Sequence, residues 1–321
     1  MSAARLPAGS ESQHRPKPPQ PRAVGALILG ACCIGLAPIF PKLAFDLEHS
    51  AQATQHGAAL GMIAAAFWRM ALAAPLLWLF AARVEKHAPP LSRRDRLWLL
   101  TPGLAFAADM ATWHKSFEYT TLANTTLLSN FATVIVSLVG WLFWRERLGY
   151  GFAVGIATAL CGAALLLGVD FTLGKDPITG DALSFATAVF YAVYIILVKS
   201  LRGRFSTARV MAWSTTVCAP GLLLAAAATG EGLMPHHAAS WAALLALALL
   251  PQICGQGLIT YAMAHLPAGF ATVSLLVQPV VAAVLSWIVF AQALAPLQIT
   301  GGALVLAGIA VAQRSSVQAM S

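Results

Sequence analysis

Apolar residues fill this chain in long runs, interrupted by short polar turns. Ten runs stand out, at 23–45, 58–82, 97–116, 121–144, 150–168, 181–201, 208–229, 240–264, 268–291 and 297–313. Each is close to or beyond the roughly 20 residues that carry a helix across a bilayer. The pattern predicts an all-α polytopic membrane protein with ten transmembrane helices. Residues 1–22 contain Pro, Ser and Arg without apolar periodicity and read as a disordered basic tail. That tail holds no apolar core followed by a small-residue cleavage site, so the first run is expected to act as an uncleaved insertion signal.

The runs repeat. Moving the first half by 146 positions lays Trp141 on Trp287, Leu148 on Leu294, Gly155 on Gly301 and Gly162 on Gly308. The segments TALCGAALLL and LVLAGIAVAQ then superpose as small-residue faces, which let helices approach closely. Five runs per half is an odd number, so the two copies must enter the membrane in opposite senses. The expected organisation is a first five-helix repeat over 23–168, a linker over 169–180, an inverted second repeat over 181–313 and a tail over 314–321. Such inverted repeats enclose a central cavity near the midplane in many secondary transporters.

Charge fixes an orientation. Sixteen of the 20 basic residues fall in the tails or in alternate turns: Arg5 to Arg22, Arg83 to Arg96, Arg145 and Arg147, Lys199 to Arg209, and Arg314. Only Lys42, Lys115 and Lys175 fall on the other side, and Arg69 lies within a run. Positive turns stay in the cytoplasm, so both termini are expected there, in the cell inner (plasma) membrane. The net charge of +8 is thus a topology signal and gives no reason to expect a nucleic-acid partner. Hydrophobic residues make up 59% and charged residues 10%, against about 25% charged in soluble domains, which excludes a soluble globule. Cys32, Cys33, Cys161, Cys218 and Cys254 all sit in apolar runs, which argues against a disulfide framework or a paired-cysteine metal site. No phosphate loop, HExxH or GxSxG is present, so the sequence encodes neither ATP drive nor these hydrolytic chemistries. No cofactor is expected.

Four blocks carry a family resemblance: AFWRMALAAPLL, ANTTLLSNFATVIVSLVGWLFWRERL, GDALSFATAVFYAVYIILVKSL and PAGFATVSLLVQPVVAAVLSWIVFAQAL. With them the chain resembles the EamA branch of the drug/metabolite transporter superfamily over nearly all of 23–313, in two copies. The family pattern ends the fourth and ninth spans with an acidic residue. Glu146 fills that place, whereas Gln292 stands in the second copy. A mid-span Pro is kept as Pro279 but replaced by Thr133. The resemblance implies a ten-helix basket that moves small polar metabolites, with exporters of amino acids and related compounds among its members.

Several polar residues within the runs are candidates for the solute path. Asp109 and Trp113 share a helix face, and desolvation favours the neutral form of a carboxyl, so Asp109 is the candidate coupling group if protons drive transport. The alternative is a structural Asp bonded to a neighbouring helix, for instance to Arg69. Arg69 itself can grip a substrate carboxylate bidentately or serve as a satisfied structural cation, and the resemblance favours the latter. His114 reads as an interfacial residue. Asn124, Asn130, Gln252, Gln256 and Gln278 are uncharged polar groups that either line a cavity or hold helices together. Pro251 beside Gln252 and Pro279 beside Gln278 each remove a helix hydrogen bond, and broken helices commonly line transporter sites. Tyr191 lies close to mid-span, where it can stack on a solute.

The reading is a secondary transporter, not an enzyme, working by alternating access and exporting small polar metabolites, amino acids or derivatives first. Its substrate-binding residues are Asp109, Trp113, Asn130, Tyr191, Gln252, Gln256, Gln278 and Arg69. An importer or facilitator of another solute on the same fold is one alternative. An intramembrane enzyme using Asp109 and His114 on a lipid-linked substrate is the other. Expected partners are a small-molecule substrate, the lipid bilayer and protons.

Overall fold

The computed structural model describes residues 20–48, 60–86, 90–116, 119–120, 122–144, 146, 149–168, 176–290 and 295–320. Most of the expected tail and linker, together with Arg145, Arg147, Leu148, Lys175, Gln292 and Leu294, lie outside them.

All ten runs are helical. The first is α1 (Pro21–Gly35) and α2 (Ile39–Glu48), parted by a turn, and the second and third are α3 (Met62–Val84) and α4 (Arg93–Ser116). The fourth is α5 (Leu122–Ser129) and α6 (Ala132–Trp144), and the fifth is α7 (Tyr150–Leu167). In the second half come α8 (Pro177–Arg202) and α9 (Thr207–Thr229), followed by α10 (Ala238–Leu247), a π-helical segment (Ala248–Gln256) and α11 (Gly257–Met263). Then follow α12 (Ala268–Leu275), α13 (Val277–Phe290) and α14 (Pro296–Met320). Among the described residues, nine helical runs are long and apolar enough to cross a membrane. The tenth, α4, is diluted by its charged start, Asp109 and His114. It packs against α8 and α9, and Asp109 and His114 are buried while the arginines of its start stay exposed.

Local chemistry sets the ends. Asp176 accepts from the Thr179 amide at 3.3 Å and Pro177 follows it, opening α8. Ser206 accepts from the Arg209 amide at 3.1 Å and opens α9. Positive φ at Gly168 and Gly230 closes α7 and α9. The expected tail after 313 instead continues α14, where Ser316 Oγ donates to the Ala312 carbonyl at 2.9 Å and Gln313 Nε2 to Ser274 Oγ at 2.8 Å.

The packing is pseudo-two-fold. Exchange the two halves, span one for six and so on, and the main contacts map onto one another. The third span packs on the sixth (α4 on α8) as the eighth packs on the first (π segment and α11 on α1). The second and seventh (α3 and α9), the fourth and ninth (α6 and α12), and the fifth and tenth (α7 and α14) each pair with their own counterpart. The α7–α14 seam runs antiparallel through the glycines of the repeat. A Cβ on Gly308 would come within 2.5 Å of Ala159 N, and one on Gly162 within 2.7 Å of the Gly301 carbonyl oxygen. Trp141 and Trp287 both face outward.

The same spacing of 146 relates two acids. Glu85 follows α3 and reaches the start of α9, contacting Ser206 Oγ and pairing with Arg209. Glu231 follows α9 and reaches the start of α3, accepting from the Ala64 amide at 3.0 Å. The antiparallel α3–α9 pair is therefore held at both ends by carboxylates at helix N-termini, where the helix dipole favours them. These contacts define two sides. The side of the α1 start, here the terminal side, also holds the ends of α6, α8 and α11. Glu48 and the α10 start belong to the far side, where Glu48 Oε1 accepts from the His236 and His237 amides at 3.0 and 3.1 Å.

Candidate functional site

Midway between the two sides, polar groups from several spans gather around Tyr191 of α8. On antiparallel α4 and α8, the Phe106 and Tyr194 rings stack at 4.6 Å and the Thr112 and Thr187 hydroxyls lie 2.9 Å apart. Asp109 is bracketed by those contacts and so lies level with Tyr191, in its electrostatic neighbourhood. The Tyr191 hydroxyl also lies beside the Gln278 amide of α13, though outside hydrogen-bond geometry from its Nε2. Its ring stacks on Tyr194 at 6.1 Å. Ser184 Oγ donates to Thr125 Oγ1 at 3.1 Å, and α8 runs parallel to α5 and α6 there. Asn130 lies five residues past Thr125, as Val189 does past Ser184, which sets it at nearly the depth of Tyr191.

Asn130 sits where the fourth span breaks. Its amide and that of Phe131 bond three residues back, to Leu127 and Leu128, at 3.0 and 3.1 Å, a tighter 3₁₀ pattern. The ninth span breaks at Leu276, which is residue 130 moved by 146. Pro279 fits the second break: as the third residue of α13 it lacks an amide hydrogen that would have no partner within that helix. The first break forms without a proline. Thr133, at the place of that proline, donates from Oγ1 to the Thr272 carbonyl of α12 at 3.3 Å. At Pro251 the helix does not break; it widens into the π segment.

Among the described residues, three buried atoms in this region have no hydrogen-bond partner: Asp109 Oδ2, Asn130 Nδ2 and Gln278 Nε2. Two are amide donors and one is a carboxylate acceptor. Such groups are costly to bury unmatched.

Arg69 and Gln252 behave differently. Arg69 is buried in α3, and its Nε donates to Gln252 Oε1 at 3.0 Å, while Gln252 Nε2 donates to Thr215 Oγ1 of α9 at 3.0 Å. The network joins the second, seventh and eighth spans. Arg69 and Asp109 act on each other through space, yet Oδ2 stays unmatched and the guanidinium is anchored through Gln252. Gln256 is buried one turn beyond Gln252. Trp113 lies a turn from Asp109 toward the far side, its ring edge-on to His114 at 5.0 Å. His114 is buried two residues before the end of α4, with Nδ1 2.7 Å from the Met110 carbonyl. Sequence reasoning missed Thr215 and Cys218, the latter fully buried and within electrostatic range of Arg69 and Asp109. A hydroxyl or thiol in an apolar run looks like packing, so nothing marked them.

A polytopic α-helical fold of two inverted five-helix halves, with unmatched polar groups at its centre, defines a membrane carrier. The profile of the EamA-like transporter family matches residues 21–168 and again 178–313, and the chain belongs to that family. A profile described as solute carrier family 35 also matches residues 108–230. The chain is 30% identical over 190 residues to a probable terminal-alkyne amino-acid exporter of Streptantibioticus cattleyicolor; the match spans 59% of this chain and 63% of that protein. It is 23% identical over 247 residues to the uncharacterized transporter YdfC of Bacillus subtilis, covering 76% and 79% of the two chains. A crystal structure superposes with a TM-score of 0.68 at 18% identity, over 91% of this chain and 96% of that one, which speaks to the fold.

Proposed function

We propose that this transporter exports small polar metabolites, amino acids or their derivatives first, by alternating access of its two halves. The observation that carries the reading is the trio Asp109 Oδ2, Asn130 Nδ2 and Gln278 Nε2, buried without partners. An ammonium group suits the carboxylate, and a carboxylate group suits the amide donors, so a zwitterion matches both. The Tyr191 ring offers a face for the side chain of such a solute. Arg69, held by Gln252, supplies fixed positive charge beside the site, and Gln256 and Trp113 extend it along their helices. Asp109 is the coupling group if protons drive export. The similarity to an amino-acid exporter supports the solute class and the direction.

The basic residues at the ends of α3 and α8, at the start of α4 and at Arg314 favour a cytoplasmic terminal side in the inner membrane. A thermal-shift screen of amino acids against nucleosides on detergent-purified protein tests the solute class. Stabilisation by at least one amino acid, absent in the Asn130→Ala/Gln278→Ala double variant, is expected. Stabilisation by nucleosides alone would refute the class.

A further inference from the structure

Glu146 stands just past α6 on the terminal side, and its carboxylate is shared among three groups. Oε1 accepts from the Ala268 amide at 2.7 Å and Oε2 from the Gly269 amide at 3.0 Å, the first two residues of α12. Lys199 Nζ, on α8, donates to Oε1 at 3.2 Å and to the Leu266 carbonyl at 2.9 Å. That ammonium also lies 5.2 Å from the centroid of the Trp144 ring. Both charged side chains are largely sheltered, at 13% and 16% exposure. The backbone leads the carboxylate there: the Glu146 amide donates to the Gly140 carbonyl at 3.1 Å, folding the chain back over α6. A Cβ on Gly140 would come within 2.8 Å of Oε2.

The contact thus ties the fourth span of the first half to the sixth and ninth spans of the second. It also pins the turn between the eighth and ninth spans through Leu266. A cleft of about 610 Å³ opens beside it, lined among others by Trp144, Lys199, Ser200, His265 and Leu266. Charge-assisted hydrogen bonds out of bulk water are strong and weakly screened. The symmetry-related position, moved by 146, is Gln292, which offers no charge.

We propose that Glu146 and Lys199 form the gate of the terminal-side mouth. Made, as here, the contact holds α12 against α6 and α8 and closes the path from cleft to centre. Broken, it frees the turn at Ala264 to Pro267 to swing away with the start of the ninth span. Since Gln292 cannot supply the matching charge, the two mouths are held by different chemistry, and the resting carrier favours a closed terminal side. The inference rests on the transporter reading, but its test measures distance, not flux, so the two can fail separately.

The test places spin labels at Ser200→Cys and Ala264→Cys, both exposed at the cleft, in protein with its native cysteines replaced and held in lipid nanodiscs. Pulsed electron–electron distance measurement then reads the mouth. With Glu146 intact, one short distance should dominate. Glu146→Gln should add a longer population, raising the open-to-closed ratio on the order of tenfold, as loss of a charged hydrogen bond implies. Lys199→Met should raise it less, because the carboxylate keeps its two α12 amides. If Glu146→Gln does not fold, Lys199→Met still reads the gate. An unchanged single distance in the folded variants, or a larger effect from Lys199→Met, would overturn the assignment.

Discussion

Arg69 shows what a charged side chain needs inside this bundle. Burying a guanidinium is costly unless its donors are met, and Gln252 meets Nε while Thr215 holds Gln252 in place. Gln252→Leu should therefore lower stability by about 1–3 kcal/mol, seen as earlier thermal unfolding in detergent, and Thr215→Val by less. A melting temperature unchanged by Gln252→Leu would mean that Arg69 finds another acceptor. Asp109 is the opposite case, with an oxygen left unmatched. If protons drive transport, Asp109→Asn should abolish pH-gradient-driven flux and leave solute binding measurable. Full uphill transport by that variant would remove Asp109 from coupling. The residue types of both were legible in the sequence, since a charge within an apolar run is conspicuous. Their partners were not, because pairing depends on which helices meet.

At the scale of elements, the ten spans were legible because long apolar runs leave few alternatives. Their interruptions were harder to read. Pro75, Pro102 and Pro220 lie inside helices that continue past them, and Pro251 sits in a π segment, so proline alone does not mark a break. The breaks at Asn130 and Leu276 instead fall at equivalent points of the two copies, where the fourth and ninth spans face each other. The glycines of the α7–α14 seam were legible as a repeat, and the structure adds that they meet face to face. Gly308→Leu should push the seam apart and destabilise the protein by about 1–3 kcal/mol or more, the usual cost of overpacking. Gly25→Leu, with no atom within 4 Å of its Cβ position, should leave the melting temperature nearly unchanged. Equal effects would show that the seam is not tightly packed.

For the whole molecule, the second, fourth and fifth spans each pair with their own counterpart, while the third packs on the sixth as the eighth packs on the first, which makes the two halves near-equivalent. Orientation rests on the basic turns. Arg94→Cys, at the start of α4, should stay unlabelled by an impermeant maleimide in intact cells and react after permeabilisation. Labelling of intact cells would reverse the assignment. The central claim is that the trio at Tyr191 binds a solute that the protein moves unchanged. Counterflow tests it most directly: purified protein in liposomes preloaded with an unlabelled amino-acid mixture, challenged with trace labelled amino acids outside. The expected result is transient accumulation of at least one label above equilibrium, recovered chemically intact and lost in the Asn130→Ala/Gln278→Ala variant. No accumulation of any amino acid, equal accumulation by the variant, or conversion of the label to another compound would contradict it.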